Sequence, residues 1–387
     1  MTTRGAGALA GITVLDLSSV GPAARATRLL ADYGADVVKV AAPPDRAGQQ
    51  PPFFGYAGHR GMKKVVLDLR EPEGRDAFLA LAARSDVVIE SFRPGTVERL
   101  GVGYEDVREV NPGIVYCSTT GYGRSGPRSR WAGHDLDYLA VGGYLAMSGP
   151  GSDGPPLPGA TVADAAAGGM HAALAVVAAL FRRNGTGEGA FLDVSVTDGV
   201  LWLMSLPIDE HLAAGSAPEP GHDVLSGRYA CYATYRAGDG RWLAVAAIEP
   251  KFFANLCREL GREDLVAGQY DDDAQEEIRH ALAVAFATAD RDTWVERLAG
   301  ADTCVAPVLS VAEVAADEPL TASGAFVEAR SGPRRFRQVG AVLAGMPALD
   351  EPVELPDPSV TDTDDLLVAA GYDPSEVQVL RSRGVVA

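Results

Sequence analysis

The first 120 residues alternate between short, apolar, β-branched runs and stretches of helical periodicity, which restricts the fold more than any other feature of the chain. Residues 12–17 (ITVLDL) read as a buried strand. Gly21-Pro22 opens a helix to about Tyr33, with Leu29, Leu30 and Tyr33 on one face; Gly34 stops it, and residues 36–40 (DVVKV) form the next strand. The pattern recurs as a strand at 64–69, a helix at 72–84, a strand at 86–90, a helix near 95–100 and a strand at 113–119. Successive β-α-β units imply parallel strands with right-handed crossovers, so an α/β domain with helices covering a parallel sheet is expected.

From Asp164 to about Arg183 the chain reads as one long Ala-rich helix containing Gly168 and Gly169. Small residues there admit a second backbone or a ligand, and tight helix packing accounts for them equally well. Residues 228–310 change texture. Tyr229, Tyr232, Tyr235 and the run 242–248 (WLAVAAI) suggest strands, with Gly238-Asp239-Gly240 as a hairpin turn. Helices are expected near 250–260, 275–288 and 291–299, and a Pro- and Asp-rich stretch at 346–365 leads to a helix pair at 363–384. The expected division is a large α/β domain at 1–200 completed by about 318–387, a linker at 201–227 and a small α+β domain at 228–317.

Composition excludes several classes. A content of 47% hydrophobic and 22% charged residues is that of a globular protein. The net charge of −18 argues against nucleic acid or an anionic membrane as partner. That charge is uneven: Lys and Arg number 17 against 14 Asp and Glu in residues 1–130, and 17 against 38 in the rest. A mildly basic first third is compatible with a small polyanion, or with ordinary solvated helix faces. No uninterrupted apolar run approaches the roughly 18–20 residues of a membrane span. Residues 1–7 lack the apolar core of a signal peptide, so a cytoplasmic location is expected. Cys117, Cys231, Cys257 and Cys304 form no CxxC pair and read as reduced thiols, not as a disulfide framework or zinc site. The first strand–helix turn, Ser18-Ser19-Val20-Gly21-Pro22, lacks the Gly-x-Gly-x-x-Gly that a dinucleotide pyrophosphate needs, which disfavours a nicotinamide or flavin dehydrogenase.

Three ionisable residues stand in settings suited to proton transfer at carbon: His134 in Gly133-His134-Asp135, Asp164 in Thr161-Val-Ala-Asp164, and Glu249 in Ala247-Ile-Glu249-Pro250. A histidine and a carboxylate on opposite faces of a substrate can remove a proton from one side and return it to the other. His134 precedes an apolar helical run, placing it near an N-cap and leaving the N–H of Asp135 free to meet an oxyanion. Asp164 starts its own helix, where the dipole favours a carboxylate. Taken singly, each is more often a capping residue.

Six ordered segments carry a resemblance: Leu30-Ala-Asp-Tyr-Gly-Ala-Asp-Val-Val-Lys39, Ser91-Phe-Arg-Pro-Gly95, Thr120-Gly-Tyr-Gly-Arg-Ser-Gly-Pro127, Gly133-His-Asp-Leu-Asp-Tyr138, Ala246-Ala-Ile-Glu-Pro250 and Cys304-Val-Ala-Pro-Val308. Over nearly its whole length the chain resembles the family III CoA-transferase superfamily and, within it, the α-methylacyl-CoA racemase branch. The resemblance implies a Rossmann-like parallel-sheet large domain, a smaller α+β domain and an interlocked homodimer whose active site lies between the large domain of one chain and the small domain of the other. It implies an acyl-CoA thioester as substrate and no separate cofactor. It further implies Lys39 and Arg93 as contacts to the adenosine phosphates, with Arg60, Lys63 and Lys64 as looser candidates. His134 and Asp164 become the two bases, Glu249 the partner that orients the imidazole, and the Asp135 amide the oxyanion donor.

Two departures bear on the substrate. The racemase branch commonly has Asn where this chain has Ala160, and Asp-Gly-Gly-Ala-Pro where it reads Ser226-Gly227-Arg228-Tyr229-Ala230. The expected acyl group therefore differs from a simple 2-methyl fatty acid, and Arg228 is free to meet a polar or acidic tail or to sit in solvent. The nearest rival activity is CoA transfer through an Asp164 acyl anhydride, which needs no second carbon base. A rival of another class is a non-catalytic acyl-CoA-binding protein, against which the retention of all three ionisable residues counts.

Overall fold

The structure, a computed structural model, describes residues 7–46, 52, 54–149, 154–349, 352–357 and 359–387; most of the segment read for a signal peptide lies outside them. The chain divides into two compact units, Met1–Gly143 with Pro158–Leu206 and Glu318–Ala387, and Tyr144–Leu157 with Pro207–Asp317.

The first unit opens with β1 (Thr13–Asp16), α1 (Pro22–Asp32), β2 (Asp36–Ala41), β3 (Lys63–Val66), α2 (Pro72–Ala82), β4 (Val87–Glu90), α3 (Thr96–Leu100), α4 (Tyr104–Val110), β5 (Val115–Thr120) and α5 (Asp135–Val141). After α6 (Tyr144–Met147), which belongs to the second unit, it resumes with a π-helical segment Ala163–Met170, α7 (His171–Thr186), β6 (Ala190–Ser195) and α8 (Val196–Leu203). Its six strands run parallel in the order β3-β2-β1-β4-β5-β6. That is the order of a doubly wound sheet, whose ligand crevice lies beyond the carboxyl ends of the two strands where the order reverses, here β1 and β4.

Period-two alternation explains how both faces are covered. Val14, Val37, Ile89, Val115 and Cys117 face α1 and α7, which bring Ala23, Leu30, Ala172, Val176 and Leu180. Leu15, Val38, Val88 and Tyr116 face the other way, against Phe78 and Leu81 of α2 and Val107 of α4. The sequence reading missed α4, which buries only Val107 among charged residues, and β6, an edge strand interrupted by Asp193.

Ala163–Thr186 has the length and mean hydropathy, 1.5, of a membrane-crossing helix, although no uninterrupted apolar run in the sequence reaches that length. Ala, Gly and single polar residues share the average with the large apolar ones. In the fold it is a sheet-covering helix, burying Ala172, Ala173, Val176, Ala179 and Leu180.

The second unit contains α9 (Ser205–Ala214), β7 (Tyr232–Arg236), β8 (Trp242–Ala246), α10 (Pro250–Glu259), α11 (Gln275–Phe286), α12 (Arg291–Leu298), β9 (Val305–Pro307) and α13 (Val311–Ala316). β7, β8 and β9 form an antiparallel sheet packed on Phe253, Leu256, Leu282, Phe286 and Trp294. Residues 201–227, expected as a linker, contain the end of α8, all of α9 and a helical turn at Val224–Ser226. Pro207 is tolerated because it lies in the first turn of α9, where an N–H has no intrahelical acceptor to lose.

The chain then returns to the first unit as α14 (Glu318–Ala322), the hairpin β10 (Phe326–Ser331) and β11 (Arg334–Val339), β12 (Val353–Glu354), α15 (Thr363–Ala370) and α16 (Pro374–Ser382). This return covers the open edge of β3. Lys64 N–H donates to the Asp362 carboxylate at 2.8 Å, Asp362 N–H to Lys64 O at 2.7 Å, and Val66 N–H to Thr363 Oγ1 at 3.1 Å. Pairing an edge in this way removes a template for unwanted strand addition.

Candidate active site

His134 is the N-cap of α5, with extended backbone (φ −130°, ψ −178°), and its N–H donates to the Asp137 carboxylate at 2.9 Å. The side chain is exposed and free of that cap. Tyr138, one turn on, is buried, and its hydroxyl donates to Gly133 O at 2.6 Å, closing the turn before the histidine. Asp135 was expected to contribute its amide. That N–H makes no hydrogen bond among the described residues, as befits the first residue of a helix. Its carboxylate does something the sequence did not reveal: it accepts the N–H of Asp164 at 2.8 Å. The residue after the histidine thus caps the segment that bears the aspartate, and two stretches 29 positions apart are pinned together.

Asp164 is half-buried, and its carboxyl is held above the usual carboxylate range. Burial is the largest cause and the Asp135 charge the second; Arg25 and then His134 oppose them. The Tyr138 phenol is pushed up to about 12 by burial first and by the Asp164 charge next, so it belongs to the same cluster. Asp164 lies in the π-helical segment, a local widening that often marks functional positions. A Cβ on Gly168 would sit 2.6 Å from Pro22 Cβ, and one on Gly169 would sit 2.5 Å from Arg25 Cβ. The two glycines serve close packing against α1.

The proposed phosphate contacts separate. Arg93 is exposed just beyond β4, at the reversal point of the sheet, and its charge reaches Tyr138. Lys39 turns inward, with Nζ donating to Asp16 Oδ2 at 2.7 Å and to Ser18 O. Arg60 is only 1% exposed and is committed to the interior. Its Nε and Nη2 reach the Asp32 carboxylate at 3.2 and 3.1 Å, and Nη1 reaches Gln338 Oε1 at 2.7 Å and Val339 O at 2.6 Å. A guanidinium so enclosed has no donor to offer a ligand, so the expectation for Arg60 is corrected. Lys63 is exposed at the amino end of β3, the wrong end of a parallel strand for a ligand, and Lys64 is half-buried beside it.

A cavity of ≈ 440 Å³ opens instead beyond the carboxyl ends of β3 and β4, lined by Leu69, Arg70, Arg75, Arg99 and Leu100 among others. Arg75 is shared with Asp76, and Arg99 Nη1 donates to Gly95 O at 2.8 Å. Glu71 and Glu98 share the lining, so the three guanidiniums outnumber the carboxylates by one; Arg70, which has no ion-pair partner among the described residues, is the cation left for a phosphorylated ligand. The signal was present in the sequence, since Arg70 follows directly on the 64–69 run read as a strand and Arg99 lies in the short helix after β4. Arg228 is paired with Asp272 through both carboxylate oxygens, at 2.9 and 2.6 Å, and is not a free cation for a substrate tail.

Glu249 lies in the second unit as the N-cap of α10, its carbonyl accepting Phe252 N–H at 2.9 Å. Proline at the first position of α10 fixes where that helix begins. Lys251 and Cys304 lie within electrostatic reach of its carboxylate.

The description "CoA-transferase family III" fits residues 9–361 of this chain. The chain belongs to CoA-transferase family III. It is 35% identical to human alpha-methylacyl-CoA racemase over 382 residues, covering 98% of this chain and 97% of the relative. It is likewise 35% identical over 332 residues to the succinyl-CoA:mesaconate CoA-transferase of Haloarcula hispanica, covering 80% and 82%. Among solved structures, Rv3272 of Mycobacterium tuberculosis is similar at a TM-score of 0.80 and 27% identity, over 93% of this chain and 99% of that one. A CaiB/BaiF family protein from Brucella suis gives 0.75 and 26% over 95% and 100%. This family III member is therefore an enzyme, with relatives on both the racemase and the transferase side.

Proposed function

We propose that this family III enzyme inverts the α-carbon of a 2-methylacyl-CoA-like thioester by two-base proton transfer between Asp164 and His134. The observation that carries the reading is the Asp135 bridge, whose carboxylate holds the Asp164 amide while its own backbone follows the histidine. Full-length similarity to the racemases supports the same side.

With Asp164 as carboxylate and His134 protonated, Asp164 takes the α-proton, and the C–H electron pair moves into the enolate, placing negative charge on the thioester oxygen. The unpartnered Asp135 N–H is the donor assigned to that oxygen. His134 then delivers a proton to the opposite face, leaving Asp164 neutral and His134 uncharged; the reverse substrate begins from that state. Such a pair titrates as one coupled system. The raised Asp164 carboxyl suits it, since a base too weak for its task gains strength as its conjugate acid weakens. We assign the CoA phosphates to Arg70, Arg99 and Arg93, and to Glu249 the part of orienting the imidazole in a homodimeric assembly.

CoA transfer through an Asp164 anhydride is the second reading, favoured by transferase relatives of 35% and 34% identity over 80% of the chain. Incubation with each enantiomer of a 2-methylacyl-CoA in D2O, with and without a free carboxylic acid, decides between them. Deuterium at the α-carbon without CoA on the acceptor is expected, with His134→Ala affecting one enantiomer far more than the other. CoA on the acceptor without deuterium would replace the racemase by the transferase.

A further inference from the structure

We propose that Arg25 is the positioning residue for Asp164: clamped between the Tyr56 ring and the Thr161 hydroxyl, its guanidinium supplies the positive charge against which Asp164 ionises. The inference rests on the reading of Asp164 as an acid–base group and adds a residue that neither the motifs nor the resemblance singled out.

The clamp has three sides. Arg25 Cζ lies 4.9 Å from the centroid of the Tyr56 ring, within range of a cation–π contact. Arg25 Nη2 donates to Thr161 Oγ1 at 3.1 Å, three residues before Asp164. The absent side chain of Gly169 provides the third side, since a Cβ there would sit 2.5 Å from Arg25 Cβ and 3.0 Å from Asp164 O. The arginine stem and the Asp164 turn therefore meet over that glycine. Tyr56 is itself held, because its hydroxyl accepts the Gly21 N–H at 2.9 Å at the start of α1. It sits in a left-handed stretch with Tyr56 at φ 49°, Ala57 at 54° and His59 at 54°, a conformation that persists only where its surroundings fix it.

The charge of Arg25 is unspent. No carboxylate lies within ion-pair distance of it among the described residues, and its Nε is buried without a hydrogen-bond partner. Arg28, one turn later on the same helix, is by contrast paired with Asp32. The groups facing Asp164 are Asp135, His134 and Tyr138 from α5 and its cap, and Arg25 from α1. Burial and Asp135 favour the neutral acid; Arg25 is the larger of the two cationic influences against them. Without it, the direction in which Asp164 must start as a base is the one that suffers.

The test is a carbon-13 NMR titration of protein labelled at the aspartate side-chain carboxyl, with the Asp164 signal assigned by its loss in Asp164→Asn. In Arg25→Met, Asp164 is expected to titrate at higher pH than in the wild type. Arg25→Lys is expected to restore most of the difference, and Thr161→Val to fall between. In parallel, the acid limb of deuterium uptake should move to higher pH for the enantiomer that Asp164 deprotonates. The loss at the acid end is then on the order of tenfold and fades toward alkaline pH. An unchanged Asp164 titration in Arg25→Met overturns the proposal; if that variant does not fold, an unchanged titration in both Arg25→Lys and Thr161→Val does so. A loss of rate equal at every pH and unrescued by lysine overturns it too. The titration needs no turnover, so a wild type without deuterium uptake would remove the racemase reading and leave the Arg25 measurement standing.

Discussion

Replacing Arg60 by methionine is expected to reduce stability by about 3 kcal/mol while leaving CoA affinity within roughly twofold, since the residue holds the interior together. The magnitude follows from its partners. The side chain is 1% exposed and donates to Asp32 twice, to Gln338 and to the Val339 carbonyl. Removing one member of a buried pair costs about 3–5 kcal/mol, mostly through the charge left behind. Here Asp32 keeps Arg28, so the lower end applies. Asp32→Ala strips both Arg28 and Arg60 of their shared carboxylate and belongs at the upper end, about 5 kcal/mol. The double variant should be less destabilised than the sum of the two, by roughly 1–3 kcal/mol of coupling. Urea unfolding gives the stabilities, with an unchanged slope as the sign that the unfolded state is unaffected, and calorimetric titration gives the CoA affinity. A stable Arg60→Met protein with CoA binding weakened tenfold would refute the reasoning and return Arg60 to the ligand.

Arg70→Ala and Arg99→Ala should each weaken CoA binding about tenfold and flatten its salt dependence, as loss of a phosphate contact does; affinities measured across a salt series check this. Glu90, fully buried at the carboxyl end of β4, has its carboxyl pushed up to about 7, first by burial. Its Oε1 has no hydrogen-bond partner among the described residues, and Arg124 Nη1 stands 3.6 Å away. Between 4.5 and about 7 the folded protein keeps a proton that the unfolded chain has released, so this contribution is whole below 4.5 and fades as pH rises through 7. Stability from urea unfolding should therefore fall across that window by an amount on the order of 3 kcal/mol, and Glu90→Gln should remove the fall; an unaltered pH slope in that variant would refute it.

The sheet of the first unit was legible because each buried strand must be short and apolar and each crossover helix must show its own period. Residues 12–17, 36–40 and 86–90 satisfied that condition and became β1, β2 and β4. Where a strand lies at the edge, as β6 does, half its residues face away from the core and the signal weakens. The readings of His134 as an N-cap and Asp164 as a residue of a helical first turn depended on local rules alone, and the structure places both so. The basic residues were less legible. Lys39 and Arg60 look like any other cation in the sequence, and only the fold shows that Asp16 and Asp32 engage them.

Local chemistry in the chain was thus enough for the buried strands, the parallel topology, the N-cap position of His134 and the first-turn position of Asp164, because turn, cap and period are short-range properties. The tertiary structure alone decided which charges are spent and which remain free. It brought the Asp135 carboxylate to the Asp164 amide across 29 residues, enclosed Arg60, and left Arg25 beside the catalytic candidate with no counter-ion among the described residues. Charge pairing depends on distance and burial, and these exist only once remote segments have packed.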